Sequence, residues 1–210
     1  MALRIIKMRA LKMIRSFKIL LLIIIISSNF LFAAEYQVDH SQKNVVKFIS
    51  HAPMDDFEGV TDKIDGYIYW KGDSLLNNSD MYFEVDLNSI DTGIGLRNRH
   101  MRDNYLETDK YPYTHFKGKL TRAGKLSDNE YDVTAEGTMF IHGVEKQISV
   151  KGKMTAMDNG YRIQANFITA LTDYKITVPK LMFFKINENM QLELDFYVKK
   201  IEKINREKNT

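Results

Sequence analysis

Apolar and polar residues alternate one by one along most of the chain after Tyr36. The alternation is clearest over residues 81–87 and 191–199, where every second side chain is apolar. Neighbouring side chains of a strand point to opposite faces, so each run predicts a strand with one apolar and one polar face. Eight such strands are predicted, at residues 45–51, 60–71, 81–90, 113–121, 131–141, 146–157, 161–171 and 190–200.

The links between these runs indicate how the strands pair. Most links are short and rich in Gly, Asn and Asp, which favours antiparallel pairing of sequential strands, and Asp158-Asn159-Gly160 is the strongest hairpin signal. The longer link at residues 92–112 predicts one short helix between strands 3 and 4. Pro179 argues against a central strand in residues 172–186, where an edge, a bulge or a flap is expected. The sequence therefore predicts an all-β fold, an eight-stranded antiparallel barrel.

Alternation alone does not say which face of a barrel is inside. In an outer-membrane barrel the apolar face would meet lipid and the polar face would fill the interior. The polar faces here carry many charges, such as Glu84 with Asp86 and Lys151 with Lys153. The interior of eight strands has room for side chains or one small ligand, not for so many charges. We therefore expect the apolar face to point inward.

An inward apolar face makes the lumen the candidate binding site. Strands of about ten residues tilted by about 40° give a wall about 25 Å tall, which suits a long-chain molecule. The alternative that the same residues only fill the barrel as a core stays open. The candidate ligand contacts are Phe48, Ile64, Ile68, Met81, Phe83, Val85, Phe116, Val133, Met139, Phe167, Leu194 and Phe196.

The first 34 residues differ from the rest of the chain. They hold six basic and no acidic residues, an apolar run at 19–26 and the small residues Ala33-Ala34. This order predicts a secretory signal peptide at residues 1–34. An uncleaved membrane anchor is the competing interpretation, because bulky Leu31 or Phe32 lies three residues before the cut. The barrel is then assigned to residues 35–200, and residues 201–210 to a charged, flexible tail.

Charge and composition exclude several function classes. The formal net charge is +3, but without the six basic leader residues the remaining 24 oppose 27 acidic ones. Such a balance does not favour nucleic acid, which requires a basic face. The chain has no cysteine, and its five histidines match no zinc spacing. Asp39-His40-Ser41 is no triad, because adjacent strand residues point to opposite faces. No catalytic residue, metal or cofactor is predicted.

The predicted helix carries the candidates for contact with a polar head group, which are Arg97, Arg99 and His100. Arginine presents a fork of donors to phosphate oxygens. The alternative is a solvated helix face that pairs with Asp103, Glu107 and Asp109. An enzyme acting on the head group would need an acid or base at the mouth, for which His100, His115 and nearby acids are the candidates.

Five segments in order, together spanning residues 38–176, resemble the signatures of the YceI-like family. Their order and spacing are more specific than any one of them, and the match runs from about Tyr36 to Val198. The chain departs from the family pattern with Asn98 for aspartate, Met101 for leucine and Lys175 for glycine. The segments are Val38-Asp39-His40-Ser41 with Val46-Lys47-Phe48 and His51, Ser89-Ile90-Asp91-Thr92-Gly93 with Arg97-Asn98-Arg99-His100-Met101, Tyr111-Pro112 with His115-Phe116, Gly137-Thr138-Met139-Phe140-Ile141-His142-Gly143-Val144-Glu145-Lys146, and Asp173-Tyr174-Lys175-Ile176.

The resemblance implies a lipocalin-like barrel that encloses a polyisoprenoid or another long-chain amphiphile. It also implies a periplasmic location and a homodimer, with transient membrane contact for ligand exchange. Together with the residues, it predicts a carrier or sequestering protein that does no chemistry on its ligand. An enzyme acting on an isoprenoid head group and a structural barrel with a filled core are the alternatives.

Overall fold

The structure is a computed structural model that describes residues 33–51, 56–71, 76, 79–181 and 184–201. Helix α1 (Gly95–His100) continues into a π-helical turn (Met101–Leu106), and two 3-10 turns span Leu87–Ser89 and Leu171–Tyr174. The strands within the described residues are β1 (Ala33–Val38), β2 (Val45–Ser50), β3 (Phe57–Thr61), β4 (Ile64–Lys71), β5 (Asp80–Asp86), β6 (Tyr113–Lys125), β7 (Glu130–Ile141), β8 (Val144–Met157), β9 (Gly160–Ala170), β10 (Lys180–Leu181), β11 (Phe184–Lys185) and β12 (Asn189–Lys200).

Ten of these strands form one antiparallel sheet that closes on itself. The order is β1-β4-β5-β6-β7-β8-β9-β12-β2-β3, and β1 also pairs with β12. β1 and β2 lie one after the other along the same edge of β12, where Val38 pairs with Val198 and Val45 with Asp195. On their other edges, β2 pairs with β3 and β1 pairs with β4. β1 with β2, and β3 with β4, therefore each act as one interrupted strand of the barrel. This count confirms the predicted eight-stranded barrel with its short helix.

The differences from the predicted strands have local causes. The predicted strand at 60–71 is broken at Asp62-Lys63, where Thr61 Oγ1 accepts a hydrogen bond from Lys63 N at 3.0 Å. The predicted strand at 81–90 ends at Asp86, whose carboxylate accepts from Asn88 N at 2.9 Å and caps a 3-10 turn. β1 was not predicted, and it closes the barrel.

The β7–β8 turn shows the local chemistry of the hairpins. His142 and Gly143 have φ values of 50° and 76°, the positive pair that a two-residue type I′ turn requires.

Pro179 precedes β10 and β11, two strands of two residues each that pair with each other in a sheet separate from the barrel. The barrel strands therefore enclose the interior without that segment.

The closed half of the barrel is the part of the inner face whose side chains are buried. These side chains pack together and are at most 9% exposed. Desolvation raises the pKa of Tyr161, which packs against the same cluster, to about 12. The closed half is therefore a dry core. Its members are Tyr36, Val38, Ile64, Ile68, Met81, Val85, Leu120, Val133, Met154, Phe196 and Val198.

The open half is a second set of apolar inward-facing side chains, outside that cluster and only partly buried. Three of them, Phe83, Phe116 and Leu194, also pack against the cluster. The strand register places the whole set on the inner face, as in the paired rows Leu192–Phe48 and Leu192–Phe167. Solvent thus reaches apolar side chains that point into the barrel. The members of the open half are Phe48, Phe83, Phe116, Met139, Ile148, Val150, Phe167, Leu192 and Leu194.

Glycines keep three of these phenylalanine rings close to the wall. A Cβ at Gly59 would lie 2.2 Å from Phe48 Cε1, and one at Gly118 would lie 2.7 Å from Phe116 Cζ. Likewise, a Cβ at Gly66 would lie 2.8 Å from Phe83 Cδ1. Such close approach is possible only for a residue without a side chain. The rings of Phe48 and Phe116 therefore lie against the wall, whereas Phe83 reaches across the interior and packs edge-to-face on Phe196, with 4.9 Å between ring centres.

Candidate ligand-binding site

The predicted ligand contacts divide between the two halves. Those in the closed half are 1–8% exposed and are covered by protein atoms in this structure. Those in the open half keep accessible surface. Whether either set contacts a ligand stays a prediction. The first set is Ile64, Ile68, Met81, Val85, Val133 and Phe196, and the second is Phe48, Phe83, Phe116, Met139, Phe167 and Leu194.

The wall of the open half is split between β8 and β9. The two strands pair from Met157 with Gly160 to Gly152 with Ala165, and no further. Beyond that point residues 144–151 of β8 pair only with β7, and residues 166–170 of β9 pair only with β12. Ile148, Val150 and Phe167 face inward beside this split. The backbone ladder of the wall is therefore interrupted along this stretch of β8 and β9.

A depression of about 670 Å³ on the barrel surface adjoins the point where the two strands part. Eight of its thirteen lining residues are charged or carry a side-chain amide, and Leu194 is the one predicted ligand contact that reaches it. Beside the depression, Arg162 donates a hydrogen bond to Asp195, and this bond raises the pKa of the Arg162 guanidinium. The depression is lined by Val45, Lys47, Leu126, Asp132, Lys151, Gly152, Lys153, Gln164, Ala165, Asn166, Glu193, Leu194 and Asp195.

Lys146 is a charged side chain at an inward position of the split wall. It pairs with Met139, which pairs in turn with Phe116 on the inner face. Its Nζ lies 2.6 Å from Asp173 Oδ1, and the two side chains are 37% and 49% exposed. A pair this accessible contributes only about 0–1 kcal/mol to stability. Lys146 was not predicted as a site residue, although the phase of Val144, Ile148 and Val150 in the sequence places it on the inner face.

His142 connects three segments at the same end of the barrel. Its Nε2 lies 2.9 Å from Glu107 Oε2, and its Nδ1 lies 3.2 Å from the carbonyl oxygen of Tyr174. The ammonium of Lys110 and, to a smaller extent, His142 lower the pKa of Glu107. Tyr174 is 2% exposed, so the 3-10 turn that carries Asp173 is anchored by a buried side chain.

The head-group candidates on α1 have different environments. Arg97 donates from Nε to Thr92 Oγ1 at 2.9 Å and from Nη2 to Thr92 O at 2.5 Å, and its guanidinium lies 4.5 Å from the centre of the Phe57 ring. Arg97 thus holds the loop together. Arg99 and His100 are exposed and have no ion pair among the described residues.

Asn98, which replaces the aspartate usual in the family pattern, is buried beneath this loop. Its Nδ2 donates to Asp91 Oδ1 at 2.7 Å, and its Oδ1 accepts from Thr92 N at 2.8 Å and from Thr92 Oγ1 at 2.6 Å. The hydrogen bond from Asn98 is the largest cause of the lowered pKa of Asp91. An amide can both donate and accept, which a carboxylate cannot, so Asn98 matches its two neighbours.

His115, a candidate acid or base of the enzyme alternative, faces away from the lumen. It pairs with Glu84 and Phe140, and its ring stacks on Phe140 at 4.7 Å. The Tyr82 ring lies 5.5 Å away, and burial, with help from Glu84, raises the pKa of Tyr82 to about 12. His115 therefore belongs to an aromatic row on the outer face.

Among the described residues, no three His, Asp or Glu side chains are grouped as they would need to be to hold a metal ion. No helix in the described part of the chain is both long and apolar enough to span a bilayer.

Comparison with known structures gives the same fold at low sequence identity. A polyisoprenoid binding domain from Saccharophagus degradans, implicated in plant cell wall breakdown, superposes with a TM-score of 0.64 at 18% identity, covering 80% of this chain and 99% of that one. BcnA of Burkholderia cenocepacia superposes with a TM-score of 0.63 at 16% identity, covering 76% of this chain and 98% of BcnA. The Campylobacter jejuni YceI protein superposes with a TM-score of 0.53 at 17% identity, covering 69% of this chain and 85% of that protein.

Sequence comparison extends the match from the fold to the family. The chain is 27% identical over 154 residues to the UPF0312 protein YE1254 of Yersinia enterocolitica, covering 69% of this chain and 77% of that protein. The sequence profile of the YceI-like domain matches residues 36–198, which include the second half of β1, all of β2 to β11 and most of β12. The chain therefore belongs to the YceI-like family.

Proposed function

We propose that this protein binds the tail of a long-chain amphiphile in the open half of its barrel and carries or sequesters it without chemistry. The observation that carries the proposal is the accessibility of inward-facing apolar side chains such as Met139, Ile148 and Phe167. The polyisoprenoid binding domain that shares the fold supports a prenyl or alkyl tail.

The filled closed half limits how much of a tail the lumen holds. About five strand residues at about 3.3 Å each, tilted by about 40°, give an open half about 13 Å deep. Burying about ten methylenes there gives a gross gain of about 8 kcal/mol. Association costs of about 4–15 kcal/mol offset much of that gain. A longer tail therefore extends out of the barrel, and the lateral split provides a way out.

We further propose that the protein is exported to the periplasm and contacts a membrane there. The basic and apolar leader supports export to the periplasm, with residues 1–32 and 202–210 outside the described residues. An exported carrier must take its ligand from a membrane, so we include transient membrane contact. A homodimer, usual for the family pattern, completes the proposal.

Native mass spectrometry of the full chain, expressed and processed in an exporting bacterial host, tests the proposal. We expect a co-purified lipid of unchanged structure, released on denaturation. Added lipid recovered as a chemically altered product would favour an enzyme. Protein that is bare after mild purification and binds no added prenyl or alkyl compound would favour a structural barrel.

A further inference from the structure

The inner face of the barrel strands is apolar with few exceptions. Within the described residues, charged side chains occupy inward positions at Lys125, Lys146 and Lys200. Lys125 and Lys200 are the last residues of β6 and β12, and Lys125 pairs with Asp128 in the following turn. Lys146 is different, because it follows Val144 and precedes Ile148 and Val150 on the wall of the open half.

A cation at this position requires a partner, because a charge against an apolar wall loses hydration. Asp173 supplies the partner in this structure, from the 3-10 turn that follows β9. Both side chains remain partly exposed at the split, so water, or a ligand oxygen, reaches the ammonium. The ammonium carries three donors, and one carboxylate oxygen at 2.6 Å leaves donors for a second anion.

We infer that Lys146 binds the acidic head group of the ligand, a phosphate or a carboxylate, at the split between β8 and β9. This inference rests on the proposed function, since the tail must lie in the open half. With the head group at Lys146, the tail runs along Ile148, Val150 and Phe167, which face inward beside the split. The inference moves the head-group site from α1, where Arg97 is already engaged by Thr92, to the barrel wall.

Matched ligands that differ only in the head group test the inference. The probes are farnesyl monophosphate against farnesol, and dodecanoate against dodecanol, each displacing the uncharged fluorescent reporter N-phenyl-1-naphthylamine from the exported full chain. A charge-assisted hydrogen bond predicts that the wild type binds the anion about ten-fold more tightly than its alcohol. The two pairs separate phosphate from carboxylate, and a preference for either anion supports the inference.

Variants assign the preference to a residue. We expect Lys146→Met to abolish the preference while leaving the affinity for the alcohols unchanged, and Lys146→Arg to retain it. Asp173→Asn removes the competing carboxylate and should increase the affinity for the anions alone. Arg99→Met is the matched control, a cation on α1 with no ion pair among the described residues, and should retain the preference.

The outcomes distinguish this inference from the proposed function. A preference that survives Lys146→Met, or disappears in Arg99→Met, would overturn the inference while the lumen proposal stands. Equal affinity of the wild type for an anion and its alcohol would also overturn the inference and leave the lumen proposal standing. If no probe displaces the reporter and none binds directly in calorimetry, the proposed function fails, and the inference fails with it. Circular dichroism of each variant confirms that it is folded.

Discussion

The closed and open halves of this barrel are built from the same alternating pattern, yet one is a core and the other is accessible to solvent. In the closed half Ile68 and Met154 are each 1% exposed. In the open half Ile148 and Val150 occupy equivalent inward positions and remain partly exposed. Two features accompany the difference, the glycines that hold phenylalanine rings against the wall and the split between β8 and β9. The two halves therefore differ in residue size and strand pairing, and not in the polarity of their inward side chains.

The same substitution in each half should give the largest contrast. Ile68→Ala removes methylenes from a filled core and is expected to lower the free energy of unfolding by about 2–5 kcal/mol. Ile148→Ala is the matched control. It removes the same atoms from a wall that solvent already reaches, so we expect a loss below about 1.5 kcal/mol. Urea unfolding of the ligand-free protein measures both. Equal losses would mean that the two halves are filled alike.

A change at one glycine should reduce the space in the open half. Gly59→Ala places a Cβ against Phe48 and is expected to turn that ring into the lumen, at a stability cost of about 1–3 kcal/mol. The affinity for a dodecyl or farnesyl tail should fall, as measured by reporter displacement. Gly124→Ala is the control, because its nearest contact would be Asp132 O at 3.9 Å. Unchanged tail affinity in folded Gly59→Ala would show that Phe48 does not border the binding space.

The loop beside the open half depends on hydrogen bonds more than on apolar packing, and a change at Asn98 tests this. Asn98→Asp removes the donor to Asp91 and places two carboxylates together, so we expect a lower Tm at pH 7. The folded pKa of Asp91 lies below its ordinary value, so its stabilising effect is present above about pH 4 and is lost as the pH falls through the folded pKa.

The Tm difference between wild type and Asn98→Asp should therefore narrow in acid, as thermal melts between pH 7 and pH 3 would show. Asn104→Asp supplies the control at an exposed asparagine of the neighbouring π-helical turn. A difference that stays constant with pH would rule out the hydrogen bond to Asp91 as its cause.

The sequence predicted the barrel because alternation is a property of each strand. It did not predict β1, since Tyr36 and Val38 provide only two apolar positions beyond the leader. Nor could it separate core from lining, because Ile68 and Ile148 each occupy an apolar position of an alternating run, and the pattern does not show what lies across the barrel. The sequence also did not show that Arg97 holds the loop together, because its partners Thr92 and Phe57 come close to it only in the folded loop. Lys146 was detectable from its phase among Val144, Ile148 and Val150.

The pairing of β1 with β12 joins the first described strand of the domain to the last. The ring is therefore incomplete until residues near 200 have been synthesised, and every earlier intermediate has two unpaired edges. Contacts between such distant parts of a chain form slowly, and exposed edges invite association with other chains. Closure of this barrel should thus follow the synthesis of β12, and the polypeptide should be most prone to association before that point.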